Sequence, residues 1–255
     1  MNHTKVHEGM RRVVAAALFC ACAGVASAAP NFRKQLLEDH GNTRTYYVSG
    51  PKDLAPGEKC PLVIAFHGSG GDGAMMVDSW AKLAHKERFF VAALKSLDRW
   101  NWTIPADGPD LVRKLREILV AKLPIDSSRI YLFGQSAGAV FALRLGLLES
   151  QYFAAVAVHA GSFRSSADFA TGRLARRKLP LLIISGDRDA IFPPASVKST
   201  IAAMQAAGIP AECFIMDWHD HRYYALADSI NARAWEFLKK HSLTATPRYE
   251  VYALP

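Results

Sequence analysis

The stretch Arg129–Leu143, RIYLFGQSAGAVFAL, changes its structural preference in the middle. Residues 129–133 favour a β-strand, and the residues from Ala137 onward favour a helix. Between them lies GQSAG, in which Ser136 has a glycine two positions away on each side. Glycine lacks the Cβ atom that would block so sharp a reversal of the chain. The stretch therefore predicts a strand, a tight turn that carries Ser136, and a helix.

Strand-like and helix-like segments alternate along the chain around this turn. The apolar runs are short and continuous, as expected for strands that are buried on both faces. They are PLVIAF (61–66), FFVAAL (89–94), RIYLF (129–133), FAAVAVHAG (153–161), LPLLIISG (179–186) and AECFIMDW (211–218). Two further predicted strands, Phe32–Leu37 and Thr43–Ser49, precede them. Strands that alternate with helices predict an α/β fold, with a mostly parallel central sheet and helices on both faces.

The composition fits one domain. The chain has 255 residues, 50% of them hydrophobic, which is enough to bury a single core. We predict this domain over residues 29–245 and a C-terminal tail over 246–255. The formal charge is +8, and we interpret the basic stretch 164–178 as a solvated loop and helix face. The sequence contains no nucleic-acid-binding motif, so we expect no nucleic-acid partner.

The first 28 residues have the pattern of a secretory signal peptide. Basic residues precede the apolar run Val13–Val25, and an A-x-A cleavage site ends at Ala28. The run is too short to span a bilayer comfortably, so we expect cleavage and no stable membrane insertion of the mature chain. The mature protein is then expected in the periplasm or outside the cell. Met10 is an alternative start to Met1, because the segment from Met10 is a complete signal by itself.

The strand, turn and helix around Ser136 form the arrangement called the nucleophile elbow. The turn projects the serine hydroxyl above the sheet, and the amide dipoles of the following helix favour negative charge beside it. A serine hydroxyl is a weak nucleophile at neutral pH and needs a base that an acid orients. We therefore predict that Ser136 is a catalytic nucleophile.

The acid and the base are expected after later strands, in the chain order serine, acid, histidine. Asp189 lies three residues beyond the run LPLLIISG and is the preferred acid, with Asp187 as the alternative. The tripeptide 219–221 follows the last strand and offers His221 as the preferred base and His219 as the alternative. Two histidines on a loop without a clear third ligand do not define a metal site, so we expect no metal.

The sequence HGSGG (67–71) follows the first buried strand. In elbow-containing enzymes this loop supplies one oxyanion-hole amide, and the residue after the nucleophile supplies the other. We predict that the backbone N–H groups of Ser69 and Ala137 form the oxyanion hole. We predict a structural role for His67.

The motifs resemble those of the polyhydroxybutyrate depolymerase and feruloyl esterase-like group of α/β-hydrolases. The resemblance rests on PLVIAFHGSGG, RWNWTIPADG, DSSRIYLFGQSAGA and INARAWEFLKKH. DHRYY also resembles the DHSYY region of the S-formylglutathione hydrolases, whose histidine is catalytic, and this supports His221. The resemblance implies an α/β-hydrolase fold and serine-dependent cleavage of carboxylic esters without a metal or cofactor. This chain departs from the group at Ser69, where a cysteine is common, and at Ala137, where an asparagine is common.

Several features bear on the substrate. The segment 162–180 between two predicted strands is too short for an independent cap, so we expect no large cap domain and an open site. Trp100 and Trp102 follow a strand at the same edge as Ser136. Two interpretations stay open for them: a platform for an aromatic acyl group or a sugar, or packing of their loop onto the sheet.

The predicted function is hydrolysis of carboxylic esters through an acyl-enzyme, on small-molecule or oligomeric substrates such as hydroxyalkanoate, feruloyl or other small acyl esters. A prolyl-oligopeptidase-like peptidase with the same triad is one alternative, and a non-catalytic binding module on the same fold is another. The sequence does not define the oligomeric state.

Two cysteines, Cys60 and Cys213, lie outside the predicted signal. Their strands are expected about four spacings of roughly 4.8 Å apart. A disulfide needs Cα atoms within about 7 Å. We therefore predict two free thiols.

Overall fold

The structure is a computed structural model that describes residues 32–245. The predicted signal peptide (1–28) and the predicted tail (246–255) lie outside the described residues and stay predictions. None of the helices within the described range is both long and apolar enough to cross a bilayer.

Eight strands form one sheet in the order β1-β2-β4-β3-β5-β6-β7-β8. They are β1 (Arg33–Asp39), β2 (Asn42–Ser49), β3 (Cys60–Phe66), β4 (Phe90–Leu94), β5 (Ile125–Gln135), β6 (Ala155–His159), β7 (Leu181–Gly186) and β8 (Ala211–Met216). The first two strands pair antiparallel, β2 is antiparallel to β4, and β3 to β8 run parallel. The mostly parallel sheet predicted from the alternation of elements is confirmed.

Residues 32–245 contain six α-helices, and five of them cover the two faces of the sheet. They are α1 (Gly73–Glu87), α2 (Asp110–Lys122), α3 (Ala137–Leu148), α4 (Ser166–Ala170), α5 (Pro194–Ala206) and α6 (Ala227–Leu238). Apolar residues of α1 and α6 bury one face of the sheet, whereas α2, α3 and α5 bury the other. Because β3 and β5 to β7 have apolar side chains on both faces, each face receives its own layer of core, and the parallel strands are fixed in the middle of the molecule.

Strand β5 is longer than the pattern predicts. It begins at Ile125, because Cys60 pairs with Ile125 across an irregularity in the register. The connection between β6 and β7 contains only the short helix α4 and a 3₁₀ turn, Thr171–Leu174. No large cap domain is therefore present among residues 32–245.

The two cysteines are free thiols, Cys60 buried on β3 and Cys213 partly exposed on β8. Strands β5, β6 and β7 lie between them.

Candidate active site

Ser136 lies at the junction of β5 and α3, in the centre of the sheet. Its backbone has φ 56° and ψ −118°, which a residue with a side chain rarely adopts. The glycines on each side allow this turn. A Cβ on Gly134 would lie 2.1 Å from the carbonyl oxygen of Gly138, and a Cβ on Gly138 would lie 2.3 Å from the carbonyl oxygen of Phe66. The elbow predicted from GQSAG is therefore present.

Three side chains meet above the carboxyl ends of β5, β7 and β8. The Ser136 hydroxyl Oγ lies 2.9 Å from His221 Nε2, and His221 Nδ1 lies 2.9 Å from Asp189 Oδ2. The Asp189 side chain is fully buried and that of His221 is 23% exposed. The Phe192 ring stacks on the imidazole, with centroids 5.9 Å apart. The base is thus fixed from one side and open toward solvent on another.

The carboxylate of Asp189 is held by backbone amides. Its Oδ1 accepts hydrogen bonds from the N–H groups of Ile191 (2.9 Å) and Phe192 (2.8 Å). Its Oδ2 is directed at His221. With Nδ1–H donating to this oxygen, the lone pair of His221 Nε2 faces the Ser136 hydroxyl and can accept its proton.

The loop after β3 packs against the elbow. A Cβ on Gly68 would lie 3.1 Å from the Ser136 Cβ. The N–H groups of Ser69 and Ala137 have no hydrogen-bond acceptor within the described range. Ala137 is the first residue of α3, so its amide belongs to the positive end of that helix. Neither amide thus has a partner in residues 32–245 that would compete with an oxyanion, and the oxyanion hole formed by Ser69 and Ala137 stays a prediction.

Comparisons with known proteins agree with this geometry. The family described as phospholipase/carboxylesterase matches residues 109–242, more than half of the chain. The chain belongs to the phospholipase/carboxylesterase family. Membership places it among the carboxylic ester hydrolases with an α/β-hydrolase fold. No curated protein matches the chain.

Solved structures with this fold include esterases and a peptidase. A thermostable esterase is similar at 20% identity and a TM-score of 0.65, over 83% of this chain and 63% of its own. A ferulic acid esterase is similar at 15% identity and a TM-score of 0.64, over 82% of this chain and 97% of its own. The acylaminoacyl peptidase of Pyrococcus horikoshii is similar at 14% identity and a TM-score of 0.66, over 86% of this chain and 43% of its own. At these identities the likeness shows the fold alone.

The alternative acid and base of this carboxylesterase-family chain lie elsewhere. His219 is 4% exposed, and its Nε2 lies 3.0 Å from Nε2 of His159. Asp187 Oδ1 accepts a hydrogen bond from the His219 backbone N–H at 3.2 Å. The pKa of His159 is lowered to about 3, first by burial and then by the neighbouring His219 and His221. The structure therefore brings His221 and Asp189 to Ser136, and it places His219 and Asp187 in the support of the loop.

His67 is buried beneath residues 68–71, the segment that we call the oxyanion loop. Its Nδ1 lies 2.8 Å from the Gly68 carbonyl oxygen, and its Nε2 accepts from the Ser96 N–H at 3.2 Å. Burial lowers the pKa of His67, which favours the neutral ring. These contacts fit the structural role predicted for it.

The two tryptophans of the predicted platform differ. Trp102 is 5% exposed, and its Nε1 donates to the His67 carbonyl oxygen at 2.8 Å. Its ring packs between Phe66 and Phe141. The platform interpretation is wrong for Trp102, because a ring enclosed by the core cannot meet a substrate. Trp100 is 64% exposed and lies beside the oxyanion loop.

Further contacts that the sequence did not reveal hold the loop between β8 and α6, which carries His221. The Tyr223 hydroxyl donates to Asn231 Oδ1 at 2.7 Å and lies 3.1 Å from Ser79 Oγ. It ties the loop to α6 and α1. No cluster of three or more potential metal ligands occurs in residues 32–245.

Proposed function

We propose that the chain cleaves carboxylic esters by acyl transfer through Ser136, His221 and Asp189. The observation that carries the proposal is the unbroken series of contacts from the buried carboxylate through the imidazole to the serine, with 2.9 Å at both steps. Membership in the phospholipase/carboxylesterase family supports the reaction class.

In the first half of the reaction, Ser136 Oγ attacks the ester carbonyl carbon while His221 Nε2 accepts the hydroxyl proton. The carbonyl oxygen becomes an oxyanion, which the N–H groups of Ser69 and Ala137 stabilise. Asp189 keeps the imidazole oriented and stabilises its charged form. His221 then returns the proton to the leaving alcohol as the carbon–oxygen bond breaks, and the acyl group stays on Ser136.

In the second half, a water molecule replaces the alcohol. His221 accepts a proton from this water, and the resulting hydroxide attacks the acyl-enzyme. The same two amides stabilise the second oxyanion. The proton returns to Ser136 as the carboxylic acid leaves.

We propose small-molecule or oligomeric esters as substrates, including hydroxyalkanoate and feruloyl esters. The motif resemblance supports these acyl groups, and the short β6–β7 connection supports access by substrates of different size. The likeness to an acylaminoacyl peptidase keeps peptide cleavage as a second candidate, although this chain covers 43% of that protein. Hydrolysis of an aminoacyl-amide with no hydrolysis of esters would favour the peptidase.

The substitution Ser136→Ala tests the proposal. It removes the nucleophile and leaves the backbone with a Cβ, so we expect an unchanged fold and a loss of p-nitrophenyl acetate hydrolysis on the order of 10³-fold or more. Ser49→Ala is the matched control, since Ser49 Oγ also contacts a histidine, His85 Nε2, at 3.4 Å.

A fluorophosphonate probe gives a second readout that does not depend on the choice of ester. We expect it to label the wild type and Ser49→Ala but not Ser136→Ala. Full turnover by Ser136→Ala would contradict the role of Ser136 as the nucleophile. A wild type that the probe does not label would contradict the proposal and favour a binding module.

A further inference from the structure

Two tryptophans among residues 32–245 have strongly exposed side chains, Trp100 at 64% and Trp218 at 78%. Tryptophan is usually largely buried, because its indole has a large apolar area. Trp218 follows β8, so it lies at the edge of the sheet that carries Ser136. An indole in this position contributes little to the core.

The backbone of Trp218 is also unfavourable for a bulky residue. Its φ is 60°, in the left-handed region where glycine is preferred. Neighbouring groups hold the turn: the Arg188 N–H donates to the His219 carbonyl oxygen at 2.9 Å, and the His219 N–H donates to Asp187 Oδ1 at 3.2 Å. The hydrogen bonds that hold the turn therefore do not involve the indole. Strained residues of this kind cluster at functional sites.

A cation lies on the indole. The Arg188 guanidinium carbon is 3.9 Å from the Trp218 ring centroid. No carboxylate in the described part of the chain lies within 4 Å of this guanidinium. Arg222, on the loop that carries Trp218, differs, because its Nε lies 2.8 Å from Asp220 Oδ2. The N–H donors of Arg188 are thus available to an anion.

The Arg188–Trp218 pair adjoins two members of the proposed triad. Arg188 directly precedes Asp189, and Trp218 lies three residues before His221. Three residues of chain span at most about 11 Å. A group bound by this pair would lie within reach of an ester held at Ser136.

The second exposed pair, Arg99 and Trp100, serves a different purpose. Arg99 Nε and Nη2 both donate to the Gly70 carbonyl oxygen at 3.1 Å. A Cβ on Gly70 would lie 2.9 Å from the Trp100 ring, so the ring covers this glycine. The Arg99–Trp100 pair therefore closes the oxyanion loop, and its guanidinium is engaged.

We propose that Arg188 and Trp218 form a substrate subsite for a ring that has an apolar face and carries a free carboxylate. This ring belongs to the alcohol part of the ester. The indole supplies a flat apolar surface for the ring. The guanidinium supplies paired N–H donors that match the two oxygens of a carboxylate. An aromatic acid and a uronic acid both have this chemistry. The subsite rests on the proposed ester hydrolysis and adds the class of substrate.

Matched ester pairs test the subsite. One pair is 4-acetoxybenzoate and phenyl acetate, and the other is 1-O-acetyl glucuronate and 1-O-acetyl glucose. Within each pair only the carboxylate differs materially. We expect the wild type to favour the carboxylated ester in kcat/KM, and the pair with the larger preference identifies the ring as aromatic or sugar.

Substitutions at the subsite are expected to remove this preference. Arg188→Gln should lower it about 10- to 100-fold, as expected for the loss of hydrogen bonds to a charged group, mainly through KM. Trp218→Gly should lower it as well, without a fall in Tm, because glycine suits the left-handed backbone. Trp218→Phe keeps an aromatic ring and should retain part of the preference.

Arg222→Gln is the matched control for charge. It removes one positive charge from the loop that carries Trp218, and we expect the preference to be retained. An equal loss of preference in Arg188→Gln and Arg222→Gln would overturn the subsite, since it would show a general effect of charge. A wild type that hydrolyses the two esters of each pair equally well would also overturn it, as would Arg188→Gln with an unchanged preference.

Binding separates failure of the subsite from failure of the proposed reaction. Titration of Ser136→Ala with 4-acetoxybenzoate, followed by tryptophan fluorescence, measures affinity without turnover. We expect Arg188→Gln in the Ser136→Ala background to bind about 10- to 100-fold more weakly. If the wild type hydrolyses no ester but this difference is found, ester hydrolysis fails and the subsite stands. If esters are hydrolysed and the affinities are equal, the subsite fails alone.

Discussion

His219 and His221 belong to one tripeptide, but they belong to different regions of the molecule. His221 lies at the solvent-exposed side of the site, between the buried Asp189 carboxylate and the Ser136 hydroxyl. His219 turns down into the interior and contacts the imidazole of His159 at 3.0 Å. The same side chain therefore has two chemistries, which its partners decide.

The difference shows what a general base requires. An imidazole between a carboxylate and a hydroxyl can gain a proton, because the carboxylate stabilises the charged ring. An imidazole buried against a second imidazole lacks this stabilisation. His159 Nδ1 also has no hydrogen-bond partner in the part of the chain that the structure describes. His159 and His219 are thus suited to hold the loop, while His221 is suited to proton transfer.

Replacement of the two histidines gives the largest expected effect. We expect His221→Ala to lower kcat/KM for p-nitrophenyl acetate on the order of 10⁴-fold or more, because it removes the proton acceptor. His219→Ala is expected to lower it less than about tenfold, since only the support of the loop changes. Steady-state kinetics on both variants measure the contrast. Equal losses would contradict the division of roles.

The two candidate acids extend the comparison. Asp189→Asn is expected to lower kcat about 10³- to 10⁴-fold, because the amide favours the wrong tautomer of His221 while it keeps the size of the side chain. Asp187→Asn removes a charge two residues before Asp189 but keeps an oxygen that can accept the His219 N–H. We expect its kcat to stay within about threefold of the wild type. A larger loss at Asp187 would reverse the assignment.

The protonation of His159, the buried partner of His219, gives a further test of the comparison. The folded chain lowers the pKa of His159 to about 3, whereas the unfolded chain titrates near its ordinary value of about 6.5. Below pH 6.5 the unfolded chain binds a proton that the folded chain does not. The free energy of unfolding therefore decreases as the pH is lowered. Urea denaturation should show a loss of about 2–3 kcal/mol from this group between pH 6.5 and 4.5.

His159→Gln should flatten that decline. His40→Gln is its control, because the side chain of His40 is 77% exposed. The prediction fails if His159→Gln and the wild type lose the same free energy over this pH range.

Stability at constant pH gives the smallest effect. His219→Ala leaves the buried Nε2 of His159 without its partner, so we expect the free energy of unfolding to fall by about 1–3 kcal/mol at pH 7. His221→Ala truncates a partly exposed ring and should change it by less than about 1 kcal/mol. Urea denaturation of the two variants would then rank them in the order opposite to their activities.

The sequence predicts the parts of the site that depend on local pattern. GQSAG between a strand and a helix identifies Ser136, because only glycines fit the close contacts of that turn. The strand-end position of Asp189 and the motif around His221 are likewise local. The order of strands and helices is predicted in the same way, because the apolar periodicity of each segment indicates which element it forms.

The rest depends on contacts between distant segments. Trp102 was assigned two possible roles because its position in the chain does not reveal the ring of Phe141 that encloses it. The sequence does not reveal the exposure of Trp218, because it follows from a left-handed turn that residues near β7 hold in place. The His159–His219 contact joins residues 60 positions apart and leaves no spacing signal.

The positive φ of Ser136 places the demands of reactivity and of thermal stability in conflict at a single residue. At φ 56° a glycine would be accommodated at lower conformational energy, but it would carry no hydroxyl. The most direct stabilising exchange at this position is thus one that removes the proposed nucleophile. Engineering for heat resistance would have to leave this angle alone and gain its stability from the two core layers beneath.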